Sequence, residues 1–472
     1  MLRSTSRLVV GSGISTTGIR TIATTAISSA PRAKSSPTAA KANVKKWGSS
    51  NGASSTKPKK TGMTHLKFRD AIYSLKWEKY APELPPIPNL SSKKLVANSS
   101  HMARYSTSVE QALLKFGGFK KYQYHELFQN PVTLANENTF KINQEFISKL
   151  SGNSRDNRIY ITGEQGIGKS TLITQTLGMA LEDQNAVILH FDSAKKILDG
   201  TSDYIFNSEL KLYQQPMLTK KWVYKFKQAN EPVLKTLKLT KEAKFNVRGK
   251  PVTLKAGVHS LFDYVSQCHD FGTVGPTQGF QFLINQLKAH SETVPVIVSV
   301  DEFNTMADVP ISAYRNADFK YIHAFEFEIA DFLFKCASGE LNFAKGGVIL
   351  ANTSTVNNKM QTVQVALDKS KYDAYANHEY FDKAVADRLL QNGEIKEFKM
   401  SPLTKDDTRQ LMAFWKDTGV LSIRPDYTKK DINSEEPITI SVSKQFENIV
   451  NLQYVSTQGN PGYLLKKSTM HY

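Results

Sequence analysis

Between a short aliphatic run, Arg158-Ile159-Tyr160-Ile161-Thr162, and a stretch of helical character from Ser170 to Leu181 lies Gly163-Glu164-Gln165-Gly166-Ile167-Gly168-Lys169-Ser170. These eight residues satisfy G-x-x-x-x-G-K-[ST] at every fixed position, and a strand before and a helix after is the context that gives the spacing a mechanism. Glycines let the backbone curl so that several N–H groups converge, and the start of the helix adds a partial positive charge. That combination is a cradle for a polyphosphate. Lys169 would reach the β- and γ-phosphates, Thr171 closes the binding stretch, and the Ser170 hydroxyl would ligate Mg²⁺. A glycine-rich strand–helix turn that binds nothing is the bland alternative.

A second apolar run, Val294-Pro295-Val296-Ile297-Val298-Ser299-Val300, ends in Asp301-Glu302. Such a run is expected as a parallel strand buried on both faces. Its acidic end falls where open α/β sheets bind ligands. Asp301 would hold Mg²⁺ through a water, and Glu302 would orient or deprotonate an attacking water as the candidate catalytic residue. A solvated loop start is the competing reading of the pair.

Further strands are expected at Ala186–Asp192, Gly347–Ala351 and Ile395–Phe398, with helices around Val258–Cys268 and Gln278–Ala289. The alternation predicts an α/β fold with a doubly wound, mostly parallel sheet. From Ser401 onward the pattern turns helical, with Lys405–Trp415 and Lys444–Leu452 as candidates. The expected organisation is a leader at 1–30, a disordered basic linker at 31–62, and a mostly helical N-terminal extension at 63–150. A nucleotide-binding domain follows at 151–400, with a basic insertion at 211–255, and then a small helical lid at 401–472.

The formal net charge is +18, unevenly spread. Residues 1–69 carry 13 Lys and Arg and no acidic residue, yet their longest aliphatic run is Leu8-Val9-Val10. A secretory signal needs an apolar core of roughly 7–15 residues, so the leader reads as a mitochondrial transit peptide, or else as a basic tail. The insertion at 211–255 holds 12 Lys and Arg against Glu231 and Glu242. It interleaves Trp222, Tyr224 and Phe226 with Lys220, Lys221, Lys225 and Lys227, a pattern open to RNA contact or to a solvated amphipathic strand. Two cysteines, Cys268 and Cys336, lack metal-ligand spacing and suit a reducing interior. No apolar run approaches the roughly 18 residues of a membrane span.

Three other positions carry open readings. Asn352, at a strand end, would sense the γ-phosphate or merely cap the strand. Arg388 stands where a trans-acting arginine would, or is an arginine on a helix surface. Thr404-Lys405-Asp406-Asp407 echoes the guanine-reading N-K-x-D pattern with Thr for Asn, or Thr404 is a helix N-cap.

The loop unit, the Val296-to-Glu302 strand, Gly346-Gly347-Val348-Ile349-Leu350-Ala351-Asn352 and a lid containing Gly459-Asn460-Pro461-Gly462 together resemble the AAA+ type of phosphate-loop NTPase. With the transit-like leader, the basic insertion and the helical preface, residues 65–472 resemble the death-associated protein three family of small-subunit mitochondrial ribosomal proteins. The resemblance implies an AAA+-like fold and a bound guanine nucleotide, GTP or GDP, with Mg²⁺ and with ATP as the alternative. It also implies ribosomal proteins and rRNA as neighbours in the mitochondrial matrix, no homo-oligomer, and a mainly structural role in translation with slow hydrolysis or none. The lid departs from the AAA+ pattern in having no arginine beside Gly459–Gly462, the nearest basic residues being Lys466 and Lys467. A free-standing mitochondrial ATPase acting on protein or nucleic acid, motivated by the intact Asp301-Glu302, is the competing function. A scaffold that binds no nucleotide is the third.

Overall fold

The computed structural model describes residues 86–469 apart from 98, 129, 248–249, 269–278, 357–358, 372–379, 422, 424–427 and 430–437. The expected transit peptide, the basic linker and the first part of the N-terminal extension lie outside the described residues. At the centre are five strands: β1 (Arg158–Thr162), β2 (Val187–Phe191), β3 (Val296–Val300), β4 (Gly346–Ala351) and β5 (Lys396–Lys399). They lie in the order β5-β1-β4-β3-β2, and every neighbouring pair is parallel.

The unbroken apolar strands follow from burial on both faces. Val187, Leu189, Val296, Val298, Val348 and Leu350 point into one cluster with Tyr160. Ile159, Ile161, Ile188, Ile297 and Ile349 point into the other. The first face is covered by α3 (Pro216–Ala229), α4 (Phe280–His290), α5 (Glu328–Ser338) and α6 (Lys383–Leu390). The second is covered by α1 (Thr107–Phe116) and α2 (Lys169–Gln184). The expected mixed α/β architecture is therefore present, with helices on both sides of the parallel sheet.

Register positions the site. Phe191 and Leu350 both pair with Val300, and Ala351 pairs with Ile161. Asp192 and Asp301 consequently stand level just past their strands, with Asn352 and Thr162 one residue further along, all at the carboxyl edge of the sheet.

Two expectations change. The N-terminal extension is not only helical, because His101–Arg104 pairs antiparallel with Val132–Ala135 as a two-stranded ribbon. The insertion does not carry its aromatics on a strand: they lie on α3, which starts at Pro216. Proline at the first helical turn loses no hydrogen bond, since that N–H has no intrahelical acceptor. Within α3, Trp222 stacks between Phe191 (4.8 Å) and Phe226 (5.3 Å), and its indole N–H donates to the His190 carbonyl at 2.9 Å. Trp222 and Phe226 are core residues, leaving Tyr224 alone of the three exposed.

The C-terminal helices are α7 (Lys405–Asp417), α8 (Val442–Thr457) and α9 (Pro461–Thr469). They share a small core of Met412, Trp415, Phe446, Val450 and Leu464. Both cysteines are free and buried. Among the described residues no helix is long and apolar enough to cross a membrane.

Candidate functional site

The glycine loop joins β1 to α2, as the sequence requires. Gly166 (φ +81°) and Gly168 (φ +106°) hold left-handed backbone that a side chain would strain. At Gly166 an added Cβ would also lie 2.8 Å from Asn460 Oδ1, so the Asn460 side chain would have to shift from its place on the loop. Gly168 is the N-cap of α2, so the amides of Lys169, Ser170 and Thr171 have no intrahelical acceptor and face the loop end. Lys169 folds back over the loop, and its ammonium donates to the carbonyls of Gly163 (2.7 Å) and Glu164 (2.8 Å). Burial lowers its pKa, while Asp301 and Glu164 oppose the shift.

Ser170 and Asp301 are brought together across the sheet edge: Ser170 Oγ donates to Asp301 Oδ2 at 2.7 Å. Asp301 is buried. Among the described residues no cluster of three or more His, Cys, Asp or Glu forms a self-sufficient metal centre. A hydroxyl and a carboxylate are hard oxygen donors of the kind Mg²⁺ takes when phosphate oxygens and water supply the remaining positions. The donor set fits Mg²⁺ arriving with a nucleotide.

Glu302 sits at φ +60°, unusual for a residue with a Cβ. Its carboxylate accepts the Ser193 hydroxyl from the end of β2. Asn352 stands at the end of β4, its N–H donating to Ile161 O at 3.1 Å. Its side-chain Oδ1 is buried with no hydrogen-bond partner; as an acceptor it fits a water donating to it, and a phosphate oxygen, itself an acceptor, would not satisfy it.

Sequence reasoning put the turn Gly459–Gly462 in a lid over the nucleotide but named none of the loop residues it meets. It lies directly on the loop. Asn460 Nδ2 donates to Gln165 O at 2.8 Å, and Gly462 N–H donates to Gly166 O at 2.9 Å. Gly459 O in turn accepts Leu403 N–H at 2.9 Å, closing the lid against the segment that leaves β5.

Three contributors were missed. Lys120, from the N-terminal extension, lies 3.4 Å from Asp301 Oδ2 and donates to Asp192 O at 2.5 Å. Gln123 reaches Thr171, Nε2 to Oγ1 at 3.0 Å. Ser193 holds Glu302. None lies in a motif or a periodic pattern. The one available signal was α2 itself, whose Thr171, Thr174 and Gln175 are polar on a face that something must satisfy.

Arg388 does not belong to this edge. Its guanidinium binds Asp331 at 2.8 Å and Glu340 at 2.7 Å and lies over Phe325 at 4.6 Å. Burial lowers its pKa, and the two carboxylates overcome that and raise it. It is a structural ion-pair hub rather than a trans-acting group or a free surface arginine. Thr404 is an N-cap: Asp407 N–H donates to its hydroxyl at 3.1 Å, and Thr404 N–H donates back to Asp407 Oδ2 at 3.0 Å. Asp407, the residue at the pattern's Asp position, is committed to that box and to Ser100 and is not free to read a base.

Loop, acidic strand end and the Gly459–Gly462 turn thus meet at the carboxyl edge of a parallel α/β sheet, the edge at which open α/β sheets that bind ligands place them. The profile of the family described as mitochondrial ribosomal death-associated protein 3 matches residues 133–467, and the chain belongs to that family. It is similar to the small ribosomal subunit protein mS29 of Neurospora crassa, 25% identical over 401 residues covering 82% of each chain. It is also similar to the small ribosomal subunit protein mS29 of Schizosaccharomyces pombe, 23% identical over 313 residues, 65% of this chain and 63% of that protein.

Proposed function

We propose that this chain is a mitochondrial small-ribosomal-subunit protein that holds a guanine nucleotide, GTP or GDP with Mg²⁺, in the loop Gly163–Thr171. It supports mitochondrial translation as a structural part among ribosomal proteins and rRNA. The names of its relatives support the ribosomal setting. The nucleotide reading rests on one observation above others, the Ser170–Asp301 hydrogen bond behind a loop whose lysine and glycines are all intact.

Bound nucleotide would bring phosphate oxygens to the loop amides, and Mg²⁺ would neutralise part of their charge. The chain's own residues do the rest. Gly166 and Gly168 curve the backbone, Lys169 supplies an ammonium, Ser170 and Asp301 offer oxygens, and Asn352 presents a carbonyl that can accept from a water beside the phosphates. The turn at Asn460–Gly462 covers the loop. Slow turnover or none fits the engagement of Glu302 by Ser193 and of Arg388 by Asp331 and Glu340. The second reading, a free-standing ATPase with ATP as the ligand, is favoured only by the intact Asp301-Glu302 pair.

The test is to sediment mitochondrial lysate through a low-salt gradient and identify by mass spectrometry the nucleotide in the protein-containing fractions. Comigration with the small subunit and a stoichiometric guanine nucleotide is expected, with both nucleotide content and melting temperature falling in Lys169→Ala, since a ligand bound only to the native state stabilises it. Absence from the small-subunit peak would sink the ribosomal reading. An unchanged nucleotide content and melting temperature in Lys169→Ala would sink the site.

A further inference from the structure

We propose that Lys120 is a built-in counter-ion for Asp301 and that it sets how strongly nucleotide binding at this loop depends on Mg²⁺. The inference rests on the nucleotide reading of the loop and goes beyond it, because no part of the loop motif includes Lys120. Its ammonium lies 3.4 Å from the same Asp301 oxygen that accepts the Ser170 hydroxyl. It also donates to the Asp192 carbonyl.

The lysine is held there by its neighbours. Thr174 Oγ1 donates to Gly118 O at 3.0 Å, Gln123 Nε2 donates to Thr171 Oγ1 at 3.0 Å, and Lys120 N–H donates to Gln123 Oε1 at 3.0 Å. The chain from 118 to 123 is therefore strapped along the first turns of α2, with the Lys120 side chain largely buried. The other charges nearby are already paired. Lys196 and Lys225 face the Asp192 carboxylate, Glu302 takes the Ser193 hydroxyl, and Lys169 is over the loop carbonyls.

Two consequences follow from Coulomb's law in a partly dry site. Without metal, Asp301 does not repel an incoming polyphosphate, because Lys120 offsets its charge. With metal, a dication beside Asp301 meets an ammonium a few ångström away, so Mg²⁺ adds less affinity than at a loop whose carboxylate is bare.

The experiment is calorimetric titration of the full chain with GDP and with GTP, in EDTA and in millimolar Mg²⁺, for the parent, Lys120→Met and Lys120→Arg. Parent affinity is expected to change by less than about threefold between the buffers. Lys120→Met should lose roughly tenfold in EDTA and recover in Mg²⁺, the scale of one uncompensated charge in a partly screened site. Lys120→Arg, which keeps the charge, should follow the parent. The same Mg²⁺ dependence in Lys120→Met as in the parent, or an equal loss in both buffers, would overturn the role of Lys120 alone. Strong Mg²⁺ dependence in a folded Lys120→Arg would do the same. A parent that binds neither nucleotide in either buffer would overturn the nucleotide reading, and this inference with it. Should Lys120→Met fail to fold, Lys120→Gln is titrated in its place with the same expectations.

Discussion

Replacing Gly462 by alanine isolates the contact between lid and loop. Gly462 lacks the positive φ that many glycines here adopt, so alanine fits its backbone. The obstacle is space. The added Cβ would lie 2.8 Å from Gly166 Cα and 2.9 Å from Gly166 O, both backbone atoms that cannot rotate away. Comfortable carbon–carbon contact is about 3.5–4.0 Å, so the turn must retreat by up to about 1 Å. Retreat strains the Gly462 N–H to Gly166 O bond, worth about 0.5–1.5 kcal/mol, and overpacking adds about 1–3 kcal/mol. The expected loss is about 2–4 kcal/mol. Gly257→Ala is the control, because Gly257 has φ +73° and nothing within 4 Å of an added Cβ. It carries backbone strain alone, about 1–2 kcal/mol. Urea unfolding followed by circular dichroism compares the two, and nucleotide retained through purification reports on the loop. Gly462→Ala should be the less stable protein and the only one to shed nucleotide. A parental unfolding midpoint and a full complement of nucleotide in Gly462→Ala would refute the lid–loop contact.

Trp222→Ala should cost about 3–5 kcal/mol by emptying a stacked core position, while Tyr224→Ala on the exposed face should stay within about 0.5 kcal/mol; equal midpoints in urea would contradict the placement of α3. Glu302→Gln should leave nucleotide affinity unchanged and abolish any phosphate release, read by titration and by a phosphate assay over hours; persistent release would exclude Glu302 as the base. Burial lowers the His190 pKa to about 4 from 6.5, so the ring stays neutral in the fold while the unfolded chain takes up a proton. Its contribution is complete above pH 6.5 and is lost as pH falls towards about 4, a swing of about 3 kcal/mol. Asp308 works the other way: burial raises its pKa to about 6, and its destabilising charge is relieved on acidification below that. In an Asp308→Asn background, urea midpoints should therefore fall more steeply between pH 7 and 4.5 than in the parent, and His190→Gln should flatten the curve; parallel curves for all three would refute both assignments.

The sheet strands could be read from sequence because burial on both faces leaves an unbroken apolar run, and Val296–Val300 ends in charge where the sheet ends. The loop could be read because its glycines are required by backbone geometry. What could not be read lies between elements distant in the chain. Nothing local to Lys120 signals Asp301, and nothing in Gly459–Gly462 signals Gly166. The aromatic–lysine alternation at 220–227 misled for a related reason. On a helix, Trp222 and Phe226 are one turn apart and share the buried face, whereas Tyr224 between them points outward. Period-2 lettering can hide a helical face when lysines flank the aromatics, as Lys221, Lys225 and Lys227 do here. Arg388 and Thr404 matched functional patterns in position, but their partners, Asp331, Glu340 and Asp407, were the deciding information.

The seams of the cleft join remote parts of the chain: Asn138 bonds Ser401, Ser100 bonds Asp407, and Gly166 bonds Gly462. A polypeptide extruded from its amino end, or threaded unfolded through a pore, therefore has its glycine loop in hand long before it has the piece that closes over it. Until the final helix clears, the cradle stays roofless. Any truncation removing that last stretch would leave a chain nearly complete in length yet permanently unfinished where it matters.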